Sequence, residues 1–144
     1  MKKLVLALLL ALSGQAVLAG ADTGSPRMNF MLHCSGCHNQ DGSGNPHVGV
    51  PNMRERLGNF LKVKDGREFL VQVPGTSQSS LSHAATAELL NWLLVSFSPA
   101  QVPPGFVPYT TEEVARLRAH PLDDVPTRRN EVAMRMKELG LTVD

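Results

Sequence analysis

Met31-Leu32-His33-Cys34-Ser35-Gly36-Cys37-His38, "MLHCSGCH", contains both cysteines of this 144-residue chain. The two thiols stand three positions apart, with an imidazole directly behind them. Ahead of the stretch, Ser25 suits a helix cap and Pro26 suits a first turn. Met28, Met31 and Leu32 fall at i, i+3, i+4 and give one apolar face. A helix over 25–38 is expected, with the thiols at its end. The following "NQDGSGNPHVGVP" (39–51) is rich in glycine, proline and asparagine and reads as a loop.

A disulfide between Cys34 and Cys37 would close too small a loop to stabilise much, and it would leave the histidine unexplained. A structural zinc site needs four ligands, and the stretch offers three. A redox dithiol of the thioredoxin kind follows a buried strand, and no strand pattern precedes Cys34. Cys-x-x-Cys-His is the attachment pattern of a c-type haem. At a helix end, thiols three apart reach one edge of a flat macrocycle, where each adds across a vinyl group to form a thioether. The next imidazole, His38, then swings under the iron as proximal ligand. One covalent haem c consumes both cysteines.

Lys2 and Lys3, the apolar run 4–12 and the small residues 16–21 describe a secretory signal peptide. Cleavage is expected after Ala19 or Ala21. The apolar run is shorter than the ~20 residues of a spanning helix, so no stable membrane insertion is expected. Export places the mature chain in the periplasm. The net charge is only +1, which gives neither the basic footprint of a nucleic-acid binder nor a polybasic lipid patch.

Further along, 52–73 carries helical spacing with a break at Asp65-Gly66, and a short helix is expected to end before Pro74. Residues 74–82 read as a loop. "HAATAELLNWLLVSF" (83–97) is apolar on most sides and capped by Ser82, which predicts a buried helix. Pro99, Pro103, Pro104 and Pro108 suggest an extended linker. Thr110 and Glu113 have the spacing of a capping box that opens a helix to about Arg118. A last helix is expected over about 127–139. The fold class is therefore all-α: a haem domain of three to four helices over 22–98, then a proline-rich linker and two-helix extension over 99–144.

"CSGCHNQDGSG" (34–44), the loop end at Pro51 and "LSHAATAELLNWLLVSF" (81–97) resemble the small monohaem class I cytochromes c. "GREFLVQVPG" (66–75) with Asn91-Trp92 is similar to cytochromes that serve periplasmic dehydrogenases. The resemblance implies a one-electron carrier rather than an enzyme. It implies a flavoprotein or quinoprotein dehydrogenase as donor, and a terminal oxidase or another cytochrome as acceptor. It also implies that the helix holding Cys34 crosses the 83–97 helix, and that the Pro51 carbonyl accepts the Nδ1–H of His38.

The family's distal methionine sits in the loop before the last haem-domain helix, and "PGTSQSSLS" (74–82) has none. Met53 is the first candidate for the sixth ligand and His83 the second. His47, Met134 and Met136 rank behind them. Met53 could instead pack on the macrocycle. Trp92 could give its indole N–H to a haem propionate or simply pack. Arg54, Arg56, Lys62, Lys64 and Arg67 form a basic cluster, read either as a docking patch or as a solvated face. Two further readings stay open: a haem protein with a vacant sixth position, gas-binding or catalytic, and a haem subunit of a larger oxidoreductase.

Overall fold

The computed structural model describes residues 24–143. The proposed signal peptide lies outside the described residues. Seven α-helices follow in order: α1 Pro26–His33, α2 Ser35–His38, α3 Gly66–Gln72, α4 Pro74–Ser77, α5 His83–Phe97, α6 Thr111–Arg118 and α7 Val125–Glu138. Short 3-10 turns cover Pro46–Val48, Leu57–Lys62 and Pro99–Gln101. Among the described residues, pairing of the strand type is confined to one isolated bridge, Asn45 with Val50. The fold is all-α.

The expected helix over 25–38 is broken at Cys34, whose backbone (φ −127°, ψ −35°) leaves the helical region. The cause is local. Ser35 Oγ donates to the Met31 carbonyl at 2.8 Å, a side-chain bond that competes with the helix ladder. Gly36 adds a weak helix former beside it. At the other end, the Ser25 hydroxyl accepts from Met28 N at 3.3 Å, as a cap should.

Helix α5 is the axis of the molecule. Its Ser82 cap accepts from Ala85 N at 3.2 Å, and Ala85, Ala87, Leu89, Leu90, Leu93 and Leu94 are all buried. It packs between α1 and α6. Phe60 and Phe69 stack at 5.5 Å between ring centres on the neighbouring segments, and Val132 and Met136 of α7 are fully buried in the same core. Met136 is thus a core side chain, while Met134 is exposed.

Residues 99–143 pack against the helices before them. Asn91 of α5 accepts from Tyr109 N at 2.8 Å and donates to Tyr109 O at 3.0 Å. The Tyr109 hydroxyl donates to Arg67 O at 2.9 Å, and burial pushes its pKa well up, so it stays a donor. Arg67 stacks 4.0 Å from the Tyr109 ring centre and holds Glu113 through two 2.7 Å bonds. Thr110 does cap α6, accepting from Glu113 N at 3.2 Å. The Glu113 carboxylate, however, goes to Arg67, so the capping box is only half made.

Arg118, at the end of α6, grips the segment before α5. Nε donates to Ser77 O at 3.0 Å, Nη1 to Leu81 O at 2.7 Å and to Thr86 Oγ1 at 3.2 Å, and Nη2 to Ser79 O. Charge-assisted bonds are the stronger kind, and unmade carbonyls are costly. Arg118→Ala should lower the free energy of unfolding by about 2–3 kcal/mol. A urea midpoint unchanged from wild type would overturn that.

Candidate haem site

The Cys34–His38 turn is closed by the backbone. Cys34 N donates to Phe30 O at 2.9 Å, Cys37 N to Cys34 O at 3.2 Å, and His38 N to Cys34 O at 3.0 Å. Cys34 is half-buried and Cys37 exposed, with no disulfide between them. Burial, then the neighbouring Cys37, pushes the Cys34 thiol above its ordinary pKa.

His33, His47, His83 and His120 are exposed, whereas His38 is half-buried. Its Nδ1 is fully buried and lacks a partner of good hydrogen-bond geometry. Burial lowers the His38 pKa, and the Pro51 carbonyl, as acceptor, pulls the other way. That carbonyl is brought to the histidine by the 39–53 loop. Gly44 N donates to His38 O at 3.0 Å, and Asn39 Nδ2 donates to Gly44 O at 2.8 Å. Asn45 and Val50 exchange backbone bonds of 2.9 and 3.0 Å. Gly44 has φ +65°, and a Cβ there would collide with Pro51 O. Only glycine lets these two stretches of loop approach so closely.

Met53 is half-buried against the core, and its N donates to Gly42 O at 2.8 Å. Beneath the turn lies an aromatic cluster. Phe30, fully buried, sits 5.1 Å from Phe97 and 5.9 Å from Trp92, and Trp92 and Phe97 are 5.6 Å apart between ring centres. So α1 and α5 meet at this cluster. Phe30, with Met28 and Met31, was expected as a core or haem-edge contact and is fully buried here, whereas Phe97 was expected only as part of the buried helix.

His83 opens α5 on the exposed side, with Nδ1 3.4 Å from Arg118 Nη1. It lies nine residues from Trp92, about 13 Å along the helix axis. Within the basic cluster of 54–67, Arg54 pairs with Asp41 at 3.0 Å, Arg67 with Glu113 at 2.7 Å, and Lys62 bonds Asn59 at 3.1 Å. Among the described residues, no three His, Cys, Asp or Glu side chains converge as a metal cage would require.

The chain is 30% identical to a cytochrome c-552 of Thermus thermophilus over 159 aligned positions, spanning 98% of this chain and 99% of that one. The chain belongs to the c-type cytochromes. A second cytochrome c-552 from the same species matches at 30% over 126 positions, 75% of this chain and 92% of the relative. No protein-family model matches this cytochrome. As a c-type cytochrome it is an electron-transfer protein with covalently bound haem c, not an enzyme. The residues present fit that group: two thiols beside one imidazole, a buried Nδ1 turned toward a carbonyl, and aromatic rings under the turn. Among the described residues, no helix is long and apolar enough to cross a membrane.

Proposed function

We propose that this cytochrome is a periplasmic one-electron carrier with a single haem c, reduced by a flavoprotein or quinoprotein dehydrogenase and oxidised by a terminal oxidase or another cytochrome. The observation that carries the reading is the Cys34–His38 turn folded back on Pro51. Cys34 and Cys37 would hold the macrocycle through thioethers. His38 would supply a nitrogen to the iron, and Pro51 O would fix the ring of that histidine through Nδ1. Trp92 Nε1 would be a donor for a propionate. Bound haem supplies a one-electron ferric/ferrous couple. Mixing the oxidised protein with a reduced periplasmic dehydrogenase should give prompt haem reduction. Failure with every dehydrogenase from the same source would overturn the donor assignment.

For the sixth ligand, Met53 stands ahead of His83. Met53 is half-buried on the segment leaving the site loop, whereas the Nδ1 of His83 faces the Arg118 guanidinium. A thioether ligand raises the reduction potential. Met53→Ala should therefore lose the low-spin spectrum and the near-infrared sulfur-to-iron band, lower the potential, and gain carbon monoxide binding. His83→Ala should keep all three wild-type properties. The second reading, an open sixth position that binds a gas or supports catalysis, draws on the lack of methionine in 74–82. Carbon monoxide binding by the reduced wild-type protein would favour it over Met53.

A further inference from the structure

We propose that Asn39 is a positioning residue for the iron histidine, its side-chain amide holding the Pro51 carbonyl against Nδ1 of His38. This rests on the reading of Cys34, Cys37 and His38 as the haem anchor. Asn39 directly follows His38 and has φ +60° and ψ 163°. That backbone conformation is almost confined to glycine, and an L-residue held there is strained. Glycine would adopt it freely, so what asparagine adds is its amide. Nδ2 donates to Gly44 O at 2.8 Å and to Ser43 Oγ at 3.0 Å. The Gly44 carbonyl can only accept, which places the nitrogen of the amide, not its oxygen, on that side.

The place of these acceptors gives the amide its role. The 39–53 loop is tied across twice: Gly42 O accepts from Met53 N at 2.8 Å, and Asn45 and Val50 exchange backbone bonds of 2.9 and 3.0 Å. Between the two ties lie Ser43 and Gly44 on one side and Pro51 on the other. Gly44 approaches the Pro51 carbonyl so closely that a Cβ would strike it. Its N donates to His38 O at 3.0 Å, and its O takes the Asn39 amide. Gly44 is thus fixed at both backbone groups, and the Pro51 carbonyl it touches is fixed with it. Closing the turn alone does not require the amide, because Gly42 N already donates to Asn39 O at 3.3 Å.

The test is Asn39→Gly beside Asn39→Asp and Ser43→Ala, each as mature holoprotein. Pyridine haemochrome first counts covalent haem. None in the wild type would overturn the anchor reading, whatever Asn39 does. With haem present, exchange of the His38 Nδ1 proton is followed by NMR in the ferrous protein. Asn39→Gly keeps the backbone and loses both amide bonds. Its Nδ1 proton should exchange roughly tenfold faster, the weight of one or two ordinary hydrogen bonds, while the buried amides of α5 keep their rates. Its reduction potential should rise. Asn39→Asp cannot donate to Gly44 O and should speed exchange as much, which added charge alone would not do. Ser43→Ala leaves the bond to Gly44 O and should speed it less. Wild-type exchange and potential in Asn39→Gly, even with lowered thermal stability, would overturn the proposal. Equal acceleration of Nδ1 and the α5 amides would do the same, as the mark of a loss of stability throughout the molecule.

Discussion

The double variant Cys34→Ser, Cys37→Ser should contain no covalently bound haem at all. Serine keeps the size and polarity of each position but cannot form a thioether under maturation conditions. Each single variant should keep one thioether and bind haem in lower yield. The measurement is mass spectrometry of protein exported with a working haem-attachment system, together with the spectrum left after acidic acetone extraction. Helix content should fall in the double variant, because binding free energy held in a covalent cofactor is also folding free energy. Haem that resists extraction from the double variant would remove the basis for every site assignment made above.

The second large effect is expected from one added methyl group. Gly44→Ala asks an L-residue to hold φ +65°, which costs roughly 1–2 kcal/mol. The new Cβ would collide with Pro51 O, and it would lie 2.6 Å from Pro51 C and 2.7 Å from Val50 O, all of them backbone. Relief requires the Pro51 carbonyl to move off His38. The total loss of stability should be about 3 kcal/mol. The potential should rise, since an imidazole without its carbonyl acceptor is less basic and supports ferric iron less well. Gly49→Ala is the matched control. Gly49 has φ +80°, but nothing lies within 4 Å of its added Cβ. It should cost only the conformational strain and leave the potential alone. Equal potentials in Gly44→Ala and wild type would separate Pro51 from any role at His38.

Much of this was readable from local pattern. Helix α5 runs over the expected 83–97 with the expected Ser82 cap, because an apolar run closed by a good cap needs no distant information. The Ser25 cap of α1 and the end of α3 before Pro74 were equally local. The c-type cytochrome family was legible because the Cys-x-x-Cys-His spacing suits haem attachment, and the relatives bear the family out. What could not be read were choices between competing partners. Ser35 chose the Met31 carbonyl and broke the first helix. Glu113 had Thr110 close in sequence, but its carboxylate went to Arg67. Asp41 paired with Arg54, thirteen positions away, a partner that the run of basic residues does not announce. The aromatic cluster joins Phe30 to residues more than sixty positions later, a meeting of helices that the family resemblance implied and sequence spacing alone could not.

The paired bonds between Asn91 and Tyr109, with the bond from Asn59 to the carbonyl of Thr142, stitch the last third of the chain to the helices that frame the site. The barrier to an electron hop is set largely by how far nuclei must move when the charge changes by one. A frame laced from both sides leaves little freedom to rearrange, which is the property that a low barrier to such a hop requires.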